Sequence, residues 1–228
     1  MTTALIAKQK FPKGALLYFL IISQLQDLLW FTFHYLGLEP TYPSDAFDAT
    51  LSNMVVDMLY SHDLLPQLFW LAIVCLLGKL LFKSTKIGLV SVALVSIHFI
   101  LDFFSGHMHH VFGADTMEAG LGLYASKPYL AIFIEALFSI GALWYFFKEE
   151  AKKGIMRTTK NRIAISSVFA YGVVFMLLIA TKSFRELFGI PEFDLGFNTI
   201  MPTLILTYGA MLYCLNVFVP QYTEGSKQ

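Results

Sequence analysis

Charge is the first thing this chain lacks. Only 14% of its 228 residues are Asp, Glu, Lys or Arg, against about 25% in a typical soluble domain. Sixteen basic and sixteen acidic residues cancel to a formal net charge of zero. No bulk field therefore attracts nucleic acid. Cysteine is scarce too. Cys75 and Cys214 both sit inside apolar runs, which leaves no Cys-based metal motif and reads as two buried free thiols. There is no internal repeat, no low-complexity tract and no polar stretch long enough for a soluble domain.

What remains is apolar. Hydrophobic residues make up 57% of the chain, Phe alone contributes 22, and the mean hydropathy is +0.64. A bilayer core needs about 20 mainly apolar residues per helix. Six runs qualify: 15–37, 64–82, 87–105, 128–147, 163–181 and 198–219. The first lacks a small-x-small cleavage site at its end and is expected to be retained. The expected fold is an all-α integral membrane protein of six transmembrane helices, forming a single transmembrane domain over 1–228. In the long first loop, Phe47, Leu51, Met54, Val55 and Met58 recur at helical spacing and predict a short helix.

Basic residues are one-sided. Lys8, Lys10 and Lys13 precede the first run. Lys79, Lys83 and Lys86 surround the second turn. Lys148, Lys152, Lys153, Arg157, Lys160 and Arg162 fill the fourth loop, and Lys227 lies near the end. These are thirteen of the sixteen basic residues; Lys127, Lys182 and Arg185 fall on the other side. The bias predicts both termini in the cytoplasm. Loops one, three and five then face the outside, the periplasm in a bacterium.

All six histidines lie between residues 34 and 110, and this topology puts them at or near that outer face. Ionisable residues at helix depth are costly and mark functional sites. Gln24, Asp27 and His34 share one stripe of the first run. Asp27 reads as a metal ligand, as an acceptor for a ligand imidazole, or as a neutral packing carboxyl. His62 precedes the second run in Tyr60-Ser61-His62-Asp63, where Ser61 or Asp63 also suits a helix cap. His98 and Asp102, spaced i, i+4, emerge one turn apart on one face. They suit one shared ion, or a His–Asp hydrogen bond that locks the hairpin. Gly106-His107-Met108-His109-His110 offers further loop ligands, His107 first, or solvated side chains. Glu135, about two turns into the fourth run, reads as a general base, a bridging ligand or a packing carboxylate. Gly120-Leu121-Gly122-Leu123-Tyr124 reads as a bend over the site. The last two runs carry Tyr171, Asn198, Tyr208 and Asn216 but no His or internal carboxylate. They read as scaffold, or as one wall of a lipid-facing cleft.

Several of these stretches together resemble a bacterial family of membrane-bound metal-dependent hydrolases, typified by a LexA-regulated inner-membrane protein. They are Asp27-Leu28-Leu29-Trp30, Leu36-Gly37-Leu38-Glu39, Tyr60-Ser61-His62, His98-Phe99-Ile100-Leu101-Asp102, and Gly120 to Tyr124 with Glu135. The resemblance covers about residues 20–147. It implies Asp27, His62, His98 and Asp102 as metal or catalytic positions, in a bacterial inner membrane. The chain departs from the family in Asp63, where Ser is usual, and in the Gly-His-Met-His-His loop.

Four functions compete. The first is a hydrolase whose divalent ion is zinc, or else manganese or iron. His62, His98 and Asp102 hold it, with Asp27 or a loop His such as His107 completing the set. Glu135 or Asp63 takes the proton, and the substrate is a lipid or lipid-linked ester or phosphate. The second is transport or sensing of a metal ion or proton. It is opposed by the apolar cytoplasmic halves of the helices and by the lack of an inverted repeat. The third is a haem protein with His62 and His98 as axial ligands. The fourth is a polar cluster that only fastens helices.

Overall fold

The computed structural model describes residues 1–193 and 196–224. Seven of the helices fall on the six predicted spans: α1 Thr2–Lys10 stands apart, whereas α2 Leu16–Ile22 and α3 Leu25–Tyr35 together cover the first. The other spans are α4 Leu64–Phe82, α5 Thr85–Ser105, α7 Pro128–Lys152, α8 Thr159–Leu178 and α10 Ile200–Phe218, with short helices α6 Leu123–Ser126 and α9 Phe184–Phe188 in the loops between. All five unbroken spans are long and apolar enough to cross a membrane, and the pair α2–α3, bent by 65°, makes a sixth when its two halves are taken as one span. The sixfold apolar pattern was therefore legible, but the break in the first span was not.

The spans form a ring. Helix α5 packs on α7, α7 on α8, α8 on α10, and α10 on α2 and α3, which return to α5. Helix α4 packs mainly against α5. Two glycines allow that pair to close. A Cβ at Gly88 would lie 2.5 Å from the Cys75 carbonyl oxygen, and one at Gly78 would lie 2.8 Å from Gly88 Cα. Small residues at such crossings let backbones approach within a membrane. Outward faces carry Leu68, Leu80, Phe133, Ile140 and Leu206, all more than half exposed. Such faces meet lipid. Cys75 and Cys214 are free but only half-buried, so the expectation of full burial is corrected.

Helix α1 is absent from the sequence expectation. Its nine residues are too few to span, and it has no sustained apolar stripe. Thr2, Ala4, Leu5 and Ala7 are nonetheless buried, against α2, α7 and α5. The helix sits inside the ring rather than in water.

The two ends of the bundle differ. At one, Lys153 Nζ donates to the Gln9 carbonyl at 3.0 Å, and buried Arg157 pairs with Glu150 at 2.6 and 2.7 Å. The same guanidinium donates to the Val219 carbonyl at 2.7 Å. Strand β5 Ile155–Met156 pairs there with β6 Thr223–Glu224. This end collects the basic segments; Lys227 lies outside the described residues. Lys148 Nζ stands 4.5 Å above the Trp144 ring, an aromatic–basic pairing suited to a membrane interface.

At the other end the three long loops interlock. Leu51 N–H donates to the Ile179 carbonyl, Arg185 N–H to Phe47 and Thr199 N–H to Ser44, at 2.8, 2.9 and 2.8 Å. Arg185 also pairs with Asp45 at 2.8 Å and with Asp48. The first loop holds no helix over 47–58. Its strands β1 Thr41–Tyr42 and β2 Val55–Val56 pair antiparallel, and turns fill the rest. The helical spacing there serves a different end: Phe47, Leu51, Met54 and Met58 turn into a shared cavity.

Candidate metal centre

The site begins with the break in the first span. Helix α2 ends at Ile22 and α3 starts at Leu25. The irregular backbone between them turns the Ser23 carbonyl toward α5, where it accepts from His98 Nδ1 at 2.9 Å. With Nδ1 protonated, His98 Nε2 carries the lone pair. It is buried and has no hydrogen-bond partner. The break also places Asp27 in the first turn of α3, where the helix dipole favours a carboxylate.

His62 is set by a second device. Glu39 is fully buried, and its Oε1 accepts the backbone N–H groups of Tyr60 and Ser61 at 2.6 and 2.7 Å. Ser61 Oγ lies 2.7 Å from His62 Nδ1, which leaves Nε2 facing inward. Behind it runs a glutamine relay. Gln26 donates to Gln67 at 3.0 Å and to the Val95 carbonyl at 3.1 Å, and Gln67 donates to the Ser61 carbonyl at 2.6 Å. Three helices are thereby tied at the level of the site.

The two Nε2 atoms meet two carboxylates. His62 Nε2 is 3.7 Å from Asp27 Oδ1 and 3.4 Å from Asp102 Oδ2. His98 Nε2 is 3.5 Å from Asp27 Oδ2 and 3.2 Å from Asp102 Oδ2. A charge-assisted hydrogen bond is shorter, about 2.7–2.9 Å. Four donors about 2.1 Å from one ion stand about 3.4 Å apart along the edges of a tetrahedron. The four imidazole–carboxylate separations lie near that length, those to Asp27 being to its two different oxygens. The donor set, neutral imidazole and carboxylate, is the one zinc and related ions take. The residues present therefore fit a divalent ion, with Asp27, His62 and His98 forming the compact group. Burial lowers the proton affinity of His62, but Asp102 and Asp27 outweigh it and raise the imidazole to about 9.

A cavity of about 440 Å³ opens from this cluster. Asp27, His62, His98, Asp102, His107, His109 and Glu135 line it. Glu135 Oε1 accepts from Ser105 Oγ at 2.8 Å and from the Tyr124 hydroxyl. Tyr124 arrives there through the predicted bend: Gly120 and Gly122 have φ of +107° and +56°, which L side chains rarely adopt. Strands β3 His109–His110 and β4 Glu118–Ala119 close that loop. The His109 ring stacks on His62 at 5.7 Å, nearly parallel. Both His109 nitrogens and His107 Nε2 are buried without partners. Burial, the largest influence on each, lowers both imidazoles to about 4.

Two other positions stand elsewhere. Asp63 is not among the cavity-lining residues. Its Oδ1 accepts the His110 N–H at 2.8 Å and its Oδ2 the Gly113 N–H at 2.6 Å. Both oxygens thus hold the third loop, and its side chain does not cap α4. His34 also lies outside the cavity lining, in the last turn of α3 with its ring against Tyr35. Reading Gln24, Asp27 and His34 as one stripe holds only for the first two, both of which reach the cavity.

Sequence reasoning passed over Glu39, Gln26, Gln67, Ser61 and Tyr208 as parts of the site. Tyr208 of α10 lines the same cavity as Asp27, so the last span forms part of the wall around the site. The signal was available in Gln26 and Gln67, two amides inside apolar runs, where an unpartnered amide is costly. Comparison with protein-family models, with curated proteins and with solved structures finds no match in any of the three.

Proposed function

We propose that this protein is a membrane-embedded metal-dependent hydrolase. The reading rests on one observation: two imidazole Nε2 atoms, each turned inward by a partner on Nδ1, stand 3.2–3.7 Å from two carboxylates. Asp27, His62, His98 and Asp102 hold the ion, and zinc suits a tetrahedral set of nitrogen and oxygen donors best. Manganese and iron accept the same donors. An ion there supplies the positive charge that makes a water acidic near neutral pH and polarises a substrate carbonyl or phosphoryl group.

The chain's own residues do the rest. Glu135, tied to Tyr124 and Ser105, receives and returns the proton. Ser23 and Ser61 orient the imidazoles, and Tyr208 lines the same cavity as Asp27. Asp63 acts at a distance, by holding the loop that carries His107 and His109. His107 faces the cavity beside the four ligands and is a further candidate for the ion. The substrate is a lipid or lipid-linked ester or phosphate, because a polar wall and an apolar wall meet in one cavity within the bilayer. The resemblance to membrane-bound metal-dependent hydrolases agrees with this. The basic end faces the cytoplasm and the site end the periplasm, in a bacterial inner membrane.

The test is elemental analysis of detergent-purified protein beside a folded His62→Ala/His98→Ala variant. About one equivalent of zinc, manganese or iron, lost in the variant, is expected. No metal in the wild type, with reconstitution by added ions also failing, overturns the reading and leaves a helix-fastening role.

A further inference from the structure

The metal centre occupies one wall of the cavity, and the remaining walls define what fits beside it. Among the described residues, no lysine or arginine side chain lines this cavity; Met1 does, and burial lowers its amino group to about 5 despite the pull of Asp27. Phosphate and carboxylate groups are normally held by such cations. Here an anionic head group would face Asp27, Asp102 and Glu135. A divalent ion balances two of these carboxylates, and Glu135 remains as a third facing an anionic head. Hydrogen-bonding capacity, by contrast, is in excess. His107 Nε2 and both nitrogens of His109 are buried, unpartnered and in the cavity wall. A neutral imidazole donates through one nitrogen and accepts through the other, which matches the carbonyl and hydroxyl groups of an uncharged head.

Much of the remaining lining is apolar: Phe138, Phe169, Val173, Met176, Leu204 and Met211. Gly172 lies in it, and a Cβ there would meet only Met211 Cε, at 3.4 Å. The glycine keeps that stretch open for a chain. A volume of about 440 Å³ is in the lower part of the ~300–1,000 Å³ range of small-molecule sites, the size for one tail rather than two.

We propose that the cavity selects uncharged single-chain acyl esters, of which a monoacylglycerol is the simplest, over phosphorylated amphiphiles. The cleavage step rests on the hydrolase reading; the binding preference does not. In hydrolysis the water oxygen bonds to the acyl carbon and the acyl carbon–alkoxyl bond breaks. One water proton passes through Glu135 to the leaving oxygen, giving the alcohol. The other leaves with the carboxylic acid, which ionises to solvent.

Two non-hydrolysable probes of equal chain length separate the possibilities: hexadecyl glyceryl ether, which is neutral, and hexadecylphosphonic acid, which is anionic. Binding to the full-length protein as purified, with its metal content recorded, would be measured by native mass spectrometry or calorimetry. The ether is expected to bind at least about tenfold tighter, and His109→Phe, which keeps the ring stack but removes the nitrogens, to weaken it on the order of tenfold. Gly172→Trp should block the ether while metal content stays at the wild-type level. Equal or tighter binding of the phosphonate overturns the proposal, as does an unchanged ether affinity in both variants. Turnover is read separately, as fatty acid from a monoacylglycerol against phosphate from an alkyl phosphate. Fatty acid release supports both readings. Preference for the ether with no turnover of either ester upholds the selectivity and sinks the hydrolase reading.

Discussion

Glu39 is the residue through which the metal reading is most sharply exposed to failure. It touches neither the four ligands nor the cavity. Its fully buried carboxylate holds the N–H groups of Tyr60 and Ser61 at 2.6 and 2.7 Å, and Ser61 in turn sets His62. Glu39→Leu leaves the buried Ser61 N–H without an acceptor, at about 1–3 kcal/mol, and frees the part-buried Tyr60 N–H as well. The segment 60–62 relieves that cost by shifting, and the His62 ring shifts with it. Loss of an orienting partner typically weakens a metal site by about 10–100-fold, equivalent to about 1.4–2.7 kcal/mol. Glu39→Gln keeps an amide oxygen as acceptor and should lose much less. The assay is competition with a chromogenic chelator, on protein shown to be folded by size exclusion and circular dichroism. Wild-type zinc affinity in a folded Glu39→Leu protein would refute the claim that this carboxylate positions the ligand.

Three further outcomes follow from other parts of the molecule. With His62 raised to about 9, its share of stability in chelator-treated protein is present below about pH 6.5 and lost as pH rises through about 9. Protons compete with a metal for the same nitrogen, so zinc affinity should rise over that window; thermal melts with and without zinc must diverge as pH increases, and parallel curves would contradict this. Arg157→Met strands Glu150 in the buried basic end and should destabilise by about 3–5 kcal/mol, with much of the loss recovered in Arg157→Met/Glu150→Leu; denaturation measured alongside metal content should show the second unchanged. Gly88→Ala drives a methyl to 2.5 Å from the Cys75 carbonyl oxygen, prising α4 from α5 at about 1–3 kcal/mol. Because that hairpin carries His62, His98 and Asp102, metal affinity should fall with the melting temperature, and an unaffected affinity would show the site to be insulated from the crossing.

The apolar spans were readable because twenty-residue hydrophobic runs have few alternatives in a bilayer. The i, i+4 spacing of His98 and Asp102 likewise needed only helix geometry. What composition concealed were features with no local signature. Helix α1 is short and carries three polar residues in its last three positions, Lys8 to Lys10; only the ring of helices around it gives it a place inside. The first loop has the spacing of a helix, yet its backbone is tied to 179 and 185 from the far end of the chain. Those tertiary bonds override local preference. Asp63 looked chemical because it adjoins His62, and only the fold reveals that the backbone of residues 110 and 113 takes both of its oxygens.

The break at Ser23–Gln24 links these observations physically. A continuous helix through residues 16–35 would keep its carbonyls within its own ladder and leave Asp27 in mid-helix, without a helix terminus near it. Interrupting the ladder costs backbone hydrogen bonds that are not replaced by water at this depth. The cost is offset where the freed groups find partners. The Ser23 carbonyl meets His98, and the new helix start meets Asp27. Gln26, one residue away on a different face, ties the same half-helix to α4 and α5. Broken spans of this kind are tolerated where they line a polar cavity, and here each group released by the break orients a ligand or holds one. The His/Asp cluster is therefore brought together by the irregularity itself, which is why a reading by hydrophobic runs finds its residues but not the means by which they converge.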